Sequence, residues 1–417
     1  MKGTKSVGGI AGSSTYKNIK RCTNYGTVEN NKTYIGGIIG FAYGTSIEDC
    51  ANYGKITSTG RCTGGIAGIT KANSSIQNVF SYGDVTSTYN DPGIIIGSVN
   101  GTLTAKGIVA YNKEALLNNS SENIKIVDDG RLTFEDGKVE ADVVKAFTKQ
   151  QIKSGEVAYL FAEGKVLGEK AWGQQLGMDQ YPVPGSDYKV VKTAQGDKDA
   201  NGNDTYWATF SNQTNDVTLS VPSDRTLKVY NATVSGGKMT LTERNNQVAK
   251  EEGVLLKTDG EYVNAKANAT NELAKASSYE NHLVATPAEA KTVTAETGCK
   301  LYRLTYKNAT NKERLGFYLS VDKDNNSNDG TSLKATPGKA YLQVSENEAK
   351  DPSSASLARS FVFGGGNETT GIDGITIMGT DVQRHGTIGG IFDLQGRKIS
   401  NPTKGIYIKN NKKVIIK

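Results

Sequence analysis

The chain has 417 residues, of which 48 are glycine and two are histidine, so it is long enough for several domains, and its composition is typical of a turn-rich, all-β extracellular protein. Residues 394–417 carry seven basic and no acidic side chains, and 42 basic and 43 acidic residues remain elsewhere, so the net charge of +6 is concentrated in the tail. The nearly neutral body argues against a nucleic-acid-binding face, and we expect no nucleic-acid partner.

The sequence contains no apolar run long enough for a membrane-spanning helix. Met1 also leads directly into a glycine-rich repeat, without the apolar region of a signal peptide. We therefore expect a fragment of an exported protein, or a gene model that starts inside the repeat. A cytoplasmic protein is the less favoured alternative.

The chain opens with a repeat over residues 1–112, whose period is about 28 residues. A Gly-Gly-Ile step recurs at Gly8, Gly36 and Gly64, and Pro92-Gly93-Ile94 takes the same place a fourth time. A fixed period of this length indicates a stacked array in which neighbouring units complete one another's core. Other positions keep the same period, slipping by one residue after Gly83: Tyr25, Tyr53, Tyr82 and Tyr111; Cys22, Cys50, Val79 and Ile108; Ile19, Ile47 and Ile76; Val28, Ile56 and Val85.

Each unit is rich in Ile, Val, Thr, Tyr and Gly, which favours strands over helices. The sequence therefore predicts a right-handed type of parallel β-solenoid with one coil per 28-residue unit, over residues 1–127. Successive coils would lie about 4.8 Å apart. The Gly-Gly pairs are interpreted as corners that need either positive φ or a close approach of two backbones.

These units resemble the GLUG repeat of bacterial surface proteins. The resemblance rests on the Gly-Gly-Ile-x-Gly core at residues 8–12, 36–40 and 64–68, which is followed by an Ile and a Tyr-Gly turn. It covers roughly the first quarter of the chain. It implies a cell-surface, adhesin-like protein, of the kind found in Bacteroidota, without implying any activity.

Residues 128–187 are predicted to form a small mixed α/β connecting module. Strands at Lys125–Val127 and Arg131–Phe134 would pair as a hairpin through Asp129-Gly130. The run Thr148-Lys149-Gln150-Gln151 fits a capping box before a short helix over Ile152–Phe161. The segment from Ser154 to Pro182 also resembles a module that follows such repeats in Bacteroidota surface proteins.

Residues 188–364 alternate like the strands of one or two antiparallel β-sandwich modules. The region is also similar to β modules of secreted Bacteroidota proteins, on Gly253–Lys257 and on the Lys-Ala-Tyr-Leu step at 339–342. The predicted strands are Tyr206–Phe210, Val217–Val221, Leu227–Ala232, Lys238–Thr242, Val254–Lys257, Leu301–Tyr306, Gly316–Val321 and Ala340–Val344.

A linker is predicted over residues 365–388, and a small β tail over 389–417. The tail resembles the C-terminal sorting domain of the type IX secretion system, which implies that the secretion machinery is a partner. A solvated β-hairpin without a sorting role is the alternative. The matching residues include Gly396, Arg397, Gly405, Tyr407, Lys413 and Lys417.

The chain offers few residues for catalysis. His282 and His385 are far apart in sequence, and no Cys-x-x-Cys, His-Glu-x-x-His or phosphate-binding pattern occurs. We therefore predict that the protein is not an enzyme and holds no cofactor, with calcium as a possible exception. Asp197, Asp199 and Asn201 match the first half of a calcium loop, but Ala208 stands where a bidentate Glu is needed. A second oxygen-rich loop lies at 322–328.

The tyrosine register is the other candidate site. Tyr25, Tyr53, Tyr82 and Tyr111 on one face of the solenoid could form a platform on which sugars stack. We favour the alternative that each ring packs on the ring one coil below. Cys22 and Cys50 occupy equivalent positions in adjacent coils, and a buried apolar ladder is favoured over a disulfide between them.

Together these features predict a secreted or cell-surface, non-catalytic protein for adhesion or for recognition of glycans or proteins. Host or dietary glycans and extracellular proteins are the expected ligands. A ligand-free structural spacer is one alternative, and a carbohydrate-active enzyme subunit with unlocated acids is another. Saturable binding would distinguish recognition from a spacer, and product release would reveal an enzyme.

Overall fold

A computed structural model shows a mainly β protein with a parallel solenoid followed by antiparallel sheets. It describes residues 5–31, 33–89, 92–118, 125–127, 132–163, 165, 167, 169, 171–199, 201–321, 329–352 and 356–362, and the strand segments 375–378, 391–392, 398–399, 405–409 and 412–416. Residues Met1–Ile377 form one compact unit and Met378–Lys417 a second.

Four parallel sheets form the walls of the solenoid, and each coil contributes a short strand to them. Sheet 1 contains Ser6–Gly8, Tyr34–Gly36 and Thr63–Gly64, and sheet 2 contains Ala11–Thr15, Ile39–Tyr43, Ala67–Lys71 and Ile96–Asn100. Sheet 3 contains Asn18–Lys20, Thr23–Asn24, Ser46–Asn52, Ser74–Ser81 and Leu103–Asn112, and sheet 4 contains Val28–Asn30, Ile56–Ser58 and Val85–Ser87. The predicted solenoid is confirmed.

The repeat slips earlier than the sequence suggested. Lys71 pairs with Tyr43, which keeps the original spacing of the repeat, whereas Ser75 pairs with Ser46, a spacing that is longer by one. The additional residue therefore lies between Lys71 and Ser75, and Gly93 accordingly stacks on Gly64 instead of Gly65. A second additional residue precedes Val109, which pairs with Val79 in the place predicted for Ile108.

The Gly-Gly steps are needed because the backbones of successive coils approach closely there, and not because φ is positive. In the paired glycines at 8–9, 36–37 and 64–65, φ is not in the left-handed region. A Cβ atom on Gly37 would lie 2.2 Å from the carbonyl oxygen of Gly65 in the next coil and 2.2 Å from Cγ of Asn52. Any larger residue would push the coils apart, so of the two explanations offered by the sequence the second is confirmed.

The interior of the solenoid is a set of apolar ladders. Ile47, Ile76 and Val79 are fully buried, as is Cys50. No disulfide joins Cys22 and Cys50. Burial raises the pKa of the Cys50 thiol to about 12, so this cysteine behaves as a small apolar side chain.

The parallel stack continues beyond residue 127. Val127 bridges Ile96 in parallel, and Leu132–Phe134 pairs in parallel with Leu103–Ala105. The predicted hairpin between these two segments is therefore wrong, because each segment extends a different wall of the solenoid. Val144–Phe147 then adds to the same sheet beside Val109–Asn112, after the short helix Glu140–Val143.

Two helices of the connecting module follow, Lys149–Ser154 and Glu156–Phe161, where the sequence predicted one. Thr148 forms the predicted capping box, because its hydroxyl accepts from the Gln151 N–H at 3.1 Å while the Gln151 side chain accepts from the Thr148 N–H at 3.0 Å. Gly155, at φ +95°, separates the helices. The longest helices in the described residues have six residues each and are too short and insufficiently apolar to cross a bilayer.

Residues 188–362 build three larger antiparallel sheets and a two-stranded sheet, and the central one of the three larger sheets packs between the other two. Sheet 5 has the strand order Tyr188–Lys192, Tyr262–Ala267, Val217–Ser220, Gln247–Val248. The central sheet 6 has the order Ala194–Gln195, Tyr206–Phe210, Val254–Thr258, Leu227–Ser235, Lys238–Arg244, with Ile375–Met378 at its edge. Sheet 7 has the order Leu283–Ala285, Ala340–Ser345, Cys299–Asn308, Glu313–Leu319, Ser360–Val362, and Lys291–Thr294 pairs separately with Ser332–Ala335. The last described helix is Glu346–Ala349.

Both faces of the central sheet are buried, and its sequence shows why. In the run Val254-Leu255-Leu256, the first and third side chains pack toward sheet 5 and the second toward sheet 7. In the same way, Trp207 packs toward sheet 7 and Ala208 packs toward sheet 5. A strand that is apolar on both faces belongs in the middle layer, so the predicted sandwich is a three-layer stack that shares one sheet.

The second unit contains a four-stranded antiparallel sheet, in the order Lys398–Ile399, Ile391–Phe392, Gly405–Lys409, Lys412–Ile416. Lys409 pairs with Lys412, so the last two strands form an antiparallel hairpin.

Candidate functional site

The three tyrosines of the register directly follow strands of sheet 3. The ring centroids of Tyr25 and Tyr53 are 5.1 Å apart, and those of Tyr53 and Tyr82 are 6.4 Å apart. Tyr111 is not in this register, because it pairs with Ser81 and packs against the solenoid core. The predicted four-ring platform is therefore corrected to a ladder of three rings.

The connecting module covers most of this ladder. Tyr53 is 7 % exposed, and its ring stacks on Tyr181 at 4.5 Å with an interplanar angle of 12°. Its hydroxyl donates to the carbonyl of Pro182. The Tyr82 ring also contacts Tyr181 at 4.5 Å, whereas Tyr25 is 59 % exposed. A sugar therefore cannot stack on Tyr53 unless the connecting module moves away.

In the predicted calcium loop, the Asp199 carboxylate accepts hydrogen bonds from donors of the loop itself. Asp199 accepts from the backbone N–H groups of Asn201 and Asn203, each at 2.9 Å, and from the Asn203 side chain at 3.2 Å. These backbone and side-chain donors from Asn203 are the main reason that the pKa of Asp199 is lowered. The Lys198 ammonium donates to the Gly202 carbonyl at 3.1 Å. The Asp199 carboxylate is thus already engaged within its own loop, and no group of three or more His, Cys, Asp or Glu side chains that could hold a metal occurs in the described residues.

The predicted sorting residues fall partly within the second unit's sheet. Gly405 pairs with Ile416 and Tyr407 with Val414, while Lys413 lies opposite Ile408. Gly396, Arg397 and Lys417 lie outside the described residues, as does the oxygen-rich loop at 322–328.

A cleft that the sequence analysis did not single out lies where sheets 6 and 7 meet the strand Ser332–Ala335. We call it the basic cleft; its volume is about 400 Å³. Among the described residues that line it, Lys192, Arg303, Lys334 and Lys339 are basic and none is acidic. The remaining polar and aromatic lining is Tyr159, Thr193, Trp207, Thr209, Thr286, Thr305, Tyr306, Thr336 and Tyr341.

The backbone of Lys339 is held firmly at the wall of the cleft. Its N–H donates to Oγ1 of Thr286 at 3.1 Å, and its carbonyl accepts from the same hydroxyl at 2.8 Å. The Ser211 hydroxyl donates to that carbonyl as well. Lys339 follows Gly338, whose φ of +75° turns the chain before strand Ala340–Ser345 begins. This lysine is thus positioned by residues that directly follow strands of sheets 6 and 7.

The Lys339 ammonium is an uncompensated charge. Within the described residues it has neither a hydrogen bond nor an ion pair, since the contacts of Lys339 involve its backbone. Burial, assisted by the nearby Lys189, lowers its pKa from 10.5 to about 8. Lys339 also lines a smaller adjoining cavity of about 150 Å³, which it shares with Tyr159 and Lys192.

Two half-buried tyrosines border the basic cleft. The Lys192 ammonium lies 5.7 Å from the ring centre of Tyr159, a cation–π distance. The Tyr306 hydroxyl donates to the carbonyl of Gln195 at 2.8 Å and so ties sheet 7 to the edge strand of sheet 6. The cleft therefore combines cations, hydroxyls and aromatic rings, the groups that bind polar ligands carrying apolar faces.

Sequence reasoning noted the Lys-Ala-Tyr-Leu step at 339–342 but gave Lys339 no role. A partial signal was present, because a lysine between a Pro-Gly turn and an apolar strand stands at the start of a buried element. Its partners could not be identified, since Lys192, Arg303 and Lys339 are brought together only by the packing of three sheets.

The repeat region matches a known family model. Residues 31–57 match the model described as the GLUG motif. No curated protein and no solved structure matches the chain. The matched segment begins before sheet 1 of the second coil and ends in sheet 4, so it covers one complete coil. The match and the regular period of the repeat together indicate a repeat-containing extracellular protein.

Proposed function

We propose that this protein is an exported or surface-attached recognition protein that binds a glycan without transforming it. The observation that carries the proposal is the basic cleft, an open site of about 400 Å³ with aromatic, hydroxyl and cationic walls. The solenoid serves as the rigid base for the sheets that form the cleft. This moves the contact surface from the tyrosine ladder to residues 159–341.

The lining of the cleft supports binding over catalysis. Hydrolysis of a glycosidic bond normally uses a pair of carboxyl groups, and none of the described residues lining the basic cleft is acidic. Glu163 lines the adjoining cavity as a single carboxylate among the described residues there. We therefore expect the protein to bind its ligand and to release it without chemical change.

Export is supported by the GLUG match and by the tail. The tail carries the residues on which the resemblance to a sorting domain of Bacteroidota-like bacteria rests, and its last two strands form a hairpin. Fusing residues 389–417 to an exported reporter tests this part. Surface attachment of the reporter, lost on deleting the last five residues, is the expected result, and a reporter that stays in the periplasm contradicts it.

The test of recognition is binding of the full chain to a broad set of glycans and matrix proteins. Tyr306→Ala and Lys192→Ala alter the cleft, and Tyr25→Ala is the matched control on the exposed end of the tyrosine ladder. We expect saturable glycan binding that the two cleft changes weaken at least tenfold and the control leaves unchanged. Chromatography of the glycan after incubation should show no product.

Three results would contradict the proposal. Binding lost in Tyr25→Ala alone would return recognition to the solenoid. Product release would show an enzyme. Absence of saturable binding at high protein concentration would favour the ligand-free spacer.

A further inference from the structure

The uncompensated ammonium of Lys339 is the feature that the recognition proposal leaves unexplained. A lysine in a poorly hydrated place is unfavourable unless an opposite charge accompanies it. Lys189, the charged neighbour that affects Lys339 most, is also a base, so it adds repulsion. In the same wall, Lys192 and Arg303 add positive charge.

The two fully buried carboxylates among the described residues are compensated, whereas the partly buried ammonium of Lys339 is not. Glu252 is 3 % exposed and forms an ion pair with Arg244 at 2.5 Å. Asp216 is 1 % exposed, and its carboxylate accepts from the backbone N–H groups of Lys250 and Leu273, each at 2.7 Å. The protein thus pairs its buried carboxylates internally but leaves a cationic cleft open, and the missing counter-charge is best supplied by a ligand.

The shape of the cleft indicates the kind of anion. A peptide could add to the free edge of sheet 6 at Ala194–Gln195, but the carbonyl of Gln195 already accepts from Tyr306 at 2.8 Å. The walls instead offer threonine hydroxyls and aromatic rings, which suit the hydroxyl groups and the apolar faces of sugar rings. A cleft of about 400 Å³ accommodates two or three sugar rings but not a globular protein.

We propose that the basic cleft binds an acidic carbohydrate. An anionic substituent of one sugar ring would contact Lys339, and the neighbouring sugar rings would lie between Lys192 and Arg303. This inference rests on the proposed recognition function and assigns the ligand class to it. A carboxylate, as in a uronic acid, and a sulfate ester share the required chemistry. Both would supply a negative charge that the described residues lining the cleft do not provide.

The experiment is calorimetric titration of the full chain with four probes. These are trigalacturonic acid, its fully methyl-esterified form, neutral galactotriose and a sulfated galactose trisaccharide. Esterification removes the charge while retaining the sugar rings, so it isolates the anionic contribution. We expect the acid or the sulfated probe to bind at least tenfold more tightly than the ester and the neutral sugar, and their ratio identifies the anion.

The variants locate the anion. Lys339→Met should remove the preference for the charged probe, whereas Lys291→Met, which deletes an exposed lysine from the adjacent strand Lys291–Thr294, should leave it unchanged. Because Lys339→Met eliminates a partly buried charge that has no ion-pair partner among the described residues, its melting temperature should equal or exceed that of the parent protein. A loss of binding in this variant would then not reflect unfolding.

The outcomes separate this inference from the proposed function. Equal binding of acidic, esterified and neutral sugars overturns the acidic ligand while recognition stands. An anion preference that survives Lys339→Met overturns the assignment to this lysine. No binding of any saccharide, combined with binding of an extracellular protein, overturns the inference and the glycan proposal together.

Discussion

Single residues in left-handed backbone conformation shape each coil of the solenoid. Tyr16, Gly44, Ala72 and Gly101 stand at equivalent positions between sheets 2 and 3, with φ of +48°, +57°, +56° and +121°. A second set inside sheet 3 has φ between +50° and +58°: Arg21, Asp49, Asn78 and Gly107. Left-handed backbone is unfavourable by about 1–2 kcal/mol for residues other than glycine, so several coils carry local strain that the stack overcomes.

Ala72 is the simplest position at which to relieve this strain. Ala72→Gly should stabilise the protein by about 1 kcal/mol, because the equivalent positions Gly44 and Gly101 already tolerate glycine. Chemical denaturation measures the change. Ala67→Gly, in a buried strand at 0 % exposure, is the matched control and should destabilise by about 1 kcal/mol. A loss of stability in Ala72→Gly would contradict the strain argument.

His282 makes stability depend on pH. Its Nδ1 accepts from the Val234 N–H at 3.0 Å, so the ring is neutral there, and burial lowers its pKa from 6.5 despite the nearby Glu348. Below pH 6.5 the unfolded chain binds a proton that the folded chain resists, so stability should fall as the pH decreases from about 6.5 toward the lowered folded pKa.

His282→Asn supplies an acceptor that does not titrate, and it should flatten the stability profile between about pH 7 and 5. His385→Asn is the control and should retain the slope. Urea unfolding across this range measures both. If the parent and His282→Asn have the same slope, His282 is not the titrating group.

In sheet 3, asparagine side chains of two successive coils form a ladder of hydrogen bonds, and the next coil has a serine at that position. Asn24 donates to the side-chain oxygen of Asn52 at 2.7 Å, and Asn52 donates to the carbonyl of Gly54 at 2.9 Å. The next position is Ser81, which pairs with Asn52 and is fully buried, but its hydroxyl has no hydrogen-bond partner in the described residues. The ladder therefore ends in an unsatisfied polar group.

Ser81→Asn should extend this ladder and stabilise the protein by about 1 kcal/mol, the net contribution of a typical hydrogen bond. Asn52 would then donate to the new amide, which in turn would reach the carbonyl of Gly83. Thermal and urea unfolding measure the gain. Ser81→Ala is the control and should change stability by less than about 0.5 kcal/mol, since it removes a hydroxyl that bonds to nothing. Destabilisation by Ser81→Asn would show that the site lacks room.

At the scale of the whole molecule, helix Glu156–Phe161 joins the solenoid to the three-sheet stack. Val157 and Phe161 pack on the solenoid with Phe80, whereas Ala158 packs with Tyr262 of sheet 5. The Asn264 side chain, also on sheet 5, accepts from the Leu176 N–H at 2.7 Å and donates to the Gln174 carbonyl at 2.6 Å. The first unit should therefore unfold as one cooperative body.

The two tryptophans test this cooperativity, because Trp172 lies against the solenoid and Trp207 lies in the central sheet. In each of Trp172→Phe and Trp207→Phe, fluorescence of the remaining tryptophan and far-UV circular dichroism should give the same denaturation midpoint. Adding Asn264→Ala, which removes two buried hydrogen bonds, should lower stability by about 2–4 kcal/mol and separate the midpoints. Separate midpoints without this change would mean that the solenoid unfolds independently.

The extent to which the sequence predicted this protein varies by region. Strand Tyr206–Phe210 was predicted with its observed bounds, because alternating apolar residues and turn signals are local information. Strand Tyr262–Ala267 was not predicted, although it pairs with two others in sheet 5. The local pattern predicts a hairpin between Lys125–Val127 and Arg131–Phe134, because parallel pairing with residues one coil back leaves no local signal.

By itself the sequence determined the solenoid, its coil length and the glycine steps. Wherever the period is constant, it shows directly which residues of successive coils stack on one another. Where the period slips, at Lys71–Ser75 and before Val109, only the backbone pairing placed Tyr111 inward. The tertiary structure alone decided that the connecting module covers Tyr53 and that Lys192, Arg303 and Lys339 share one cleft. The physical reason is that these contacts join residues far apart in the chain, and they depend on which faces pack together rather than on any local pattern.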